Sequence, residues 1–317
     1  MSKPKLLPKS SVNRALNALG DRWSLLIIQQ AFLGTSRFEE FRSRCNIPRS
    51  TLSHRLKSLI GNQILETRPH VAGKGRQSYY LTERGRALLD AVLLAWAWGI
   101  RWGMISDGLP TSIIHHDCGK PMIPKLACDE CGGEVTLRSC HREPGPGEGY
   151  EQLKVQRMHR RRYAADELYA SDVVDLLGDR WTGMVIATQY FGIHRFDHMQ
   201  TYLNIASNIL ADRLKALEFN GILERSLYEL MPPRYEYWLT KKGSDLFPHA
   251  LSLMLWADEW LADVNGPPVL VRHNPCGHLL GASVVCGQCE QPLTQDNVTP
   301  RLQAATGRPS RAAGKGR

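Results

Sequence analysis

Phe38-Glu39-Glu40-Phe41-Arg42, Cys45-Asn46-Ile47-Pro48, Leu52-Ser53-His54-Arg55-Leu56-Lys57-Ser58-Leu59 and Asn62-Gln63-Ile64-Leu65-Glu66 form the stretch whose reading decides the fold of this chain. Its skeleton returns as Phe196, Asn204-Ile205, Leu210, Arg213-Leu214-Lys215, Leu217 and Asn220-Gly221-Ile222-Leu223-Glu224, each residue 158 positions after its partner. A constant offset leaves no room for an insertion or deletion. The chain is therefore a tandem duplication, and its 317 residues divide into two domains of ordinary size.

The pattern around the repeated stretch is helical. Asp21, after Gly20, is placed to cap a helix running through Phe32, Gly34 ends it, and Phe38 and Phe41 open the next apolar face as far as about Arg44. Pro48 suits the first turn of a helix that should reach about Ile60. At roughly 100° per residue, Leu52, Leu56, Leu59 and Ile60 share the core side of that helix. Ser50, His54, Lys57 and Ser58 lie opposite, with Arg49 and Arg55 on the flanks. Ile64 to Arg68 and Ser78 to Thr82 alternate as two strands joined by the basic tip Gly73-Lys74-Gly75-Arg76. A long helix should follow from about Glu83 to Ile105, with Leu88, Trp98 and Trp102 on its apolar stripe. A helix-turn-helix followed by a basic hairpin is a winged helix, which puts one helix in the major groove and the wing along the phosphates or minor groove.

Charge separates the two copies. The whole chain carries a formal net charge of +9, which suits a polyanionic partner. Between Ser36 and Arg86 there are 11 Lys and Arg against 4 Asp and Glu, whereas the matching window from His194 to Ser244 has 7 against 6. Arg42, Arg44, Arg49 and His54 are replaced by Gln200, Tyr202, Ser207 and Asp212. The first copy is thus the expected main DNA reader, through Arg49, Ser50, His54, Arg55, Lys57, Lys74 and Arg76. The second, through Asn208, Asp212, Arg213, Lys215 and Arg234, is either a weaker reader or a dimerisation and effector module.

Seven of the eight cysteines sit in or beside clusters of metal-ligand spacing. His115-x-x-Cys118-Gly119 with Cys128-x-x-Cys131-Gly132 is echoed by His273-x-x-Cys276-Gly277 with Cys286-x-x-Cys289. Each unit supplies one imidazole and three sulfurs, the inventory of a closed, structural Zn2+ site, so two such sites are expected. The offset selects His115 over His116, whose partner is Asn274. Cys45, matched by Leu203, reads as a buried core residue. The cysteine usage and the lack of an apolar leader fit the cytoplasm, and the most apolar run, Ala87 to Ile100, is too short to cross a bilayer. No nucleophile and base pair, phosphate loop or carboxylate dyad occurs at a recognisable spacing, so no enzymatic activity is expected.

The order Leu-Gly-Asp-Arg-Trp, Arg-Phe, Leu-x-x-Arg-Leu-Lys-x-Leu, Ile-Leu-Glu, Pro232-Pro233-Arg234-x-x-Tyr237-x-Leu239-Thr240 and a late Trp resembles the HxlR-type bacterial transcriptional regulators, winged-helix proteins close to the MarR fold. The likeness covers roughly residues 10 to 105 and 168 to 262. It implies a repressor or activator that pairs through its terminal helices and reads two half-sites about one helical turn apart. Members commonly carry a cysteine just before the first helix, where this chain has Ser10 and Leu168.

The expected fold is mainly α with small β-hairpin wings, built as two tandem winged helix-turn-helix domains, each followed by a small zinc-knuckle extension. The expected boundaries are a disordered N-terminus over 1–10, domain 1 over 11–110, a knuckle segment over 111–140 and a linker over 141–165. Domain 2 then spans 166–268, the second knuckle segment 269–298, and a disordered basic tail 299–317. Double-stranded DNA is the expected partner, membranes are not, and assembly is either an internal pseudo-dimer or a homodimer. The tryptophan pairs Trp98/Trp102 and Trp256/Trp260 read first as core or helix-pairing residues and second as walls for a small apolar effector. The alternative function is a zinc-stabilised interaction or redox/metal-sensing protein whose basic surface binds RNA or a protein partner.

Overall fold

A computed structural model describes residues 6–69, 77–105, 109–152 and 172–302. The first copy contains α1 (Ser11–Leu19), α2 (Arg22–Phe32), α3 (Phe38–Arg44), α4 (Arg49–Gly61), the hairpin β2 (Leu65–Pro69) and β3 (Gln77–Leu81), then α5 (Glu83–Arg86) and α6 (Leu89–Arg101). The single helix expected from Glu83 to Ile105 is therefore two, parted at Ala87 and Leu88, with Thr82 capping the first through the amide of Gly85. The second copy repeats the layout as α7 (Val173–Leu177), α8 (Arg180–Tyr190), α9 (Phe196–Leu203), α10 (Ser207–Phe219), β8 (Leu223–Glu229), β9 (Arg234–Leu239), α11 (Lys241–Ser244) and α12 (Phe247–Trp260).

Side-chain caps account for the helix starts. Asp21 and Asp179 accept from the amides of Ser24 and Thr182 at the heads of α2 and α8. Ser10 caps α1 by accepting from the amide of Asn13. The core of the first copy is packed around fully buried Phe41, Leu52, Leu56, Leu59 and Ile64. Burial of each such side chain is worth roughly 1.5–3 kcal/mol.

The copies exchange their long terminal helices. Leu253, Trp256 and Ala257 of α12 complete the core of the first copy, while Leu93, Leu94, Trp96 and Trp98 of α6 lie in the core of the second. The indole of Trp98 donates to the carbonyl of Lys242 at 2.9 Å, and that of its counterpart Trp256 donates to Arg84, the counterpart of Lys242, at 3.0 Å. Arg180 is buried and donates twice to Asn13 of the other copy, and Arg22 pairs with Asp175 in the reverse direction. The tryptophans are thus helix-pairing residues.

The extensions are also exchanged. β4 (Pro110–His115), β5 (Pro124–Cys128) and β6 (Cys140–Pro144) follow the first copy, with β7 (Tyr150–Gln152) after them. β10 (Val269–His273), β11 (Ala282–Cys286) and β12 (Val298–Leu302) follow the second. Every one of these strands except β7 pairs across the duplication: β4 with β12, β6 with β10, and β5 with β11, all antiparallel. In the β5–β11 ladder Leu126 faces Val284, its own counterpart in the repeat, so an approximate two-fold axis passes between them.

Three segment boundaries differ from the sequence reading. Leu6–Pro8 forms β1, paired with β7, inside the expected disordered N-terminus. The expected linker begins inside a paired strand, because Glu143 and Pro144 face Leu270 and Val269. Residues 299–302, assigned to the tail, belong to β12. The remainder of the linker from 153 and of the tail from 303 lies outside the described residues.

Candidate nucleic-acid interface and metal centres

On α4 the apolar face is buried as the rotation argument requires, and Ser50, His54 and Lys57 are exposed on the opposite side. Arg42, Arg44 and Arg49 are exposed as well, and Arg42 and Arg49 share Glu39 as a partner. Arg49 lies 2.8 Å from Glu39 and its guanidinium sits 5.2 Å from the Phe38 ring, while 71% of its side chain stays accessible. Such an exposed pair is worth ~1 kcal/mol or less and yields readily to a phosphate. Lys74 and Arg76 lie outside the described residues, although the strands on either side of them, β2 and β3, form the expected hairpin.

Arg55 does not belong with this surface. Its Nη2 lies 2.5 Å from Asp21, and only 16% of the side chain is accessible. Arg213 repeats the contact through two bonds, with Nε 2.7 Å and Nη2 2.8 Å from the two oxygens of Asp179 and only 7% accessible. Both arginines tie the second helix of the motif to the capped start of the helix before it. A signal for this was present in the sequence: Asp21 and Arg55 recur together as Asp179 and Arg213, as partners must.

The second copy presents a different face. Asn208, Asp212 and Lys215 are exposed on α10, and Arg234 is exposed at the wing, 3.3 Å from Glu229. The wing tip is apolar: Leu230 is 74% and Met231 90% exposed. His194 stacks on Trp238 at 3.9 Å at the base of the wing, where Trp238 faces Glu224. At the other end of the motif, Phe191 packs on Tyr202 and β1 lies against α9.

The eight predicted metal ligands do assemble, but in crossed sets. His115 and Cys118 meet Cys286 and Cys289, while Cys128 and Cys131 meet His273 and Cys276. The sequence reading grouped each tetrad within one copy, and the structure corrects that grouping. Exchange of β10 and β12 against β6 and β4 carries each His knuckle to the Cys knuckle of the other copy. Spacing alone could not show this, since a constant offset makes crossed and uncrossed sets look the same.

Within each tetrad the ligand atoms lie within 4.8 Å of one another. Zinc held at about 2.3 Å from sulfur and 2.0–2.1 Å from nitrogen has tetrahedral S···S edges near 3.8 Å and N···S edges near 3.5 Å. The sulfurs of Cys118 and Cys286 are 4.0 Å apart, and those of Cys128 and Cys276 3.8 Å. His115 Nδ1 is 3.6 Å from Cys118 and 3.3 Å from Cys289, and His273 Nδ1 is 3.5 Å from Cys276 and 3.3 Å from Cys131. The tetrads can therefore hold metal ions. Backbone amides two residues on point at the second ligand of each knuckle: Lys120 at Cys118, Gly133 at Cys131, His278 at Cys276 and Gln291 at Cys289. At Cys118 and Cys276 those amides draw the thiols down to about 7 and about 6, toward the thiolate that a metal binds. The turns need a left-handed residue after each knuckle, filled by Gly119, Gly132 and Gly277, and by Glu290 in the fourth.

An apolar cavity of ≈ 90 Å³ lies between the copies, lined by Leu16, Ile28, Ala95, Trp96, Val174 and His249 among others. Neither expected tryptophan pair lines it. His249 donates from Nδ1 to the carbonyl of Ala91, its own counterpart, at 2.9 Å, and burial pulls its pKa down to about 4. Cys45 is buried, and burial pushes its thiol up to about 11, as befits a core residue. Among the described residues no helix is long and apolar enough to cross a membrane.

Fold and site together define a tandem winged helix-turn-helix protein with intertwined cysteine-histidine extensions. The model of the HxlR-like helix-turn-helix family matches residues 18–107 and again 176–265, so the chain belongs to that family. An uncharacterised HTH-type transcriptional regulator of Mycobacterium tuberculosis is 41% identical over 137 residues, which cover 43% of this chain and 87% of that one. The HTH-type transcriptional regulator YodB of Bacillus subtilis is 38% identical over 86 residues, 27% of this chain and 77% of its own length. Among solved structures, the redox regulator HypR in its reduced form is similar at 31% identity over 27% of this chain and 86% of that chain, with a TM-score of 0.26.

Proposed function

We propose that the chain is a cytoplasmic, sequence-specific DNA-binding transcription regulator and not a catalyst. Its first copy carries the main reading surface. One observation supports this most directly: Ser50, His54 and Lys57 are exposed together on one face of α4, and Arg42, Arg44 and Arg49 of the same motif are exposed with them, whereas the matching face of α10 carries Asp212. Phosphates would draw in the first face and repel the carboxylate of the second, leaving the second copy as a weaker reader or a pairing and effector module. The exchanged α6 and α12 make the chain an internal pseudo-dimer, and the two tetrads hold structural Zn2+. The cavity against His249 is the place for a small apolar effector.

The test is selection of bound genomic fragments by the purified chain, followed by competition with single-stranded RNA. A recovered operator that RNA does not displace supports the reading. Equal binding to RNA and to unrelated duplex would replace it with the second reading, a metal- or redox-sensing interaction protein, which the crossed Cys/His tetrads favour.

A further inference from the structure

The crossed tetrads and the packing beside them lead to an unequal consequence for the two helix-turn-helix motifs. Each metal would take two ligands from each copy, so neither site can be completed by one copy alone. The ladder between β10 and β6 starts where His273 faces Cys140, so the imidazole ligand of one tetrad fixes the end of β6. Glu143 on β6 is further held by Arg272 at 2.8 Å. Between these two anchors stands Arg142. Its Nη2 donates to the carbonyl of Phe191 at 3.0 Å, and its guanidinium lies 5.1 Å from the Phe191 ring. Phe191 is the C-cap of α8 and packs on Tyr202 of α9, the helix that precedes α10.

The contact chain therefore runs from metal ligand to β6, to Arg142, to Phe191 and Tyr202, and so to the second helix-turn-helix. At the constant offset, Arg142 corresponds to Pro300, Phe191 to Leu33 and Tyr202 to Arg44. Neither proline nor leucine can reproduce the guanidinium contact on the first copy. We propose that the two metal ions act as staples between the copies and that, through Arg142, they brace the second helix-turn-helix and leave the first unbraced. This rests on the metal reading of the tetrads and not on the DNA reading.

Zinc counts test the crossing and hydrogen exchange tests the brace. Replacing Cys118 and Cys286 together by Ser should leave about one zinc per chain, and replacing Cys118 and Cys131 together should leave about none. The reverse pattern would overturn the crossing, and zinc-free wild-type protein that keeps full protection at every helix would overturn the metal reading itself. In C118S/C131S, amide protection at the end of α9 should fall by about tenfold or more while that of α3 stays within about twofold. Arg142→Ala should give the same loss at α9 with its zinc complement intact, which separates the brace from the metal. Unchanged protection at α9, or an equal fall at α3 and α9, would sink the proposal.

Discussion

The two helix-turn-helix motifs share a scaffold and little else. Both hang on an aspartate that caps a helix and takes an arginine from the second helix of the motif, and both bury the same leucine rows. Around that frame the first copy spends its outward positions on Arg42, Arg44, Arg49 and His54, and the second fills the same positions with Gln200, Tyr202, Ser207 and Asp212. Phe191, packed on Tyr202, receives Arg142 of the cysteine-histidine extension, whereas Leu33, Arg44 and Pro300 stand at the matching positions of the repeat. Duplication has thus kept what folds and let the outward positions diverge, basic in the first copy and mixed in the second.

The largest expected effect breaks the part the copies share. Arg213 is more buried than Arg55 and bonds both oxygens of its aspartate, so Arg213→Met removes the cationic partner of Asp179, leaving it the cap to Thr182, and should cost about 3–5 kcal/mol in urea unfolding, whereas Arg55→Met should cost about half of that or less. Equal losses would mean that burial does not distinguish the two pairs. Next comes a position where the copies differ inside the cavity, His249 against Ala91. A folded pKa of about 4 against an ordinary value near 6.5 means that the unfolded chain binds the proton first, so its contribution is full at pH 7 and is lost as pH falls from about 6.5 to about 4. The loss should approach about 3 kcal/mol. Burial raises Asp90 and Asp258 to about 6, which acts in the opposite sense over nearly the same range. The comparison with His249→Gln isolates the histidine: the wild type should lose more stability than the variant between pH 7 and 4.5.

The binding comparison is smaller per residue. His54→Ala and Lys57→Ala should each weaken operator affinity by about 1–3 kcal/mol, and Asp212→Ala and Lys215→Ala by less than about 0.5 kcal/mol. Titration against the selected fragment decides the matter, and parity between the copies would remove the first from its role as main reader.

What was legible in the sequence follows from the kind of information each feature carries. The winged-helix units, their caps and their buried rows are local in sequence, and residue spacing reports them directly. The eight candidate metal ligands were legible for the same reason, as four short knuckles. Which knuckle meets which is a long-range fact: His115 reaches Cys286 only because β4 pairs with β12 and β5 with β11, and the repeat offset is silent on that choice. Arg55 and Arg213 were misplaced for a related reason. Their angular position on the helix is on the flank, from which a long side chain can turn toward solvent or toward Asp21 and Asp179, and rotation alone does not select between them. The helix exchange was legible only in part, through tryptophans at a spacing of four that suit packing without naming the partner.

The smallest expected effect sharpens the comparison at the knuckles themselves. Three of the four place glycine at the left-handed position after the second ligand, while the fourth places Glu290 there at φ 60°. A left-handed conformation costs a residue with a Cβ about 1–2 kcal/mol, and glycine gives back part of that difference through its greater freedom in the unfolded chain. Glu290→Gly should therefore stabilise the tetrad of His115, Cys118, Cys286 and Cys289 by about 0.5–1 kcal/mol. Zinc transfer to a competing chelator should become several-fold less favourable for that tetrad and stay unchanged for the tetrad of Cys128, Cys131, His273 and Cys276. A shift shared by both tetrads would show that Glu290 acts on the stability of the whole intertwined sheet and not on its own turn.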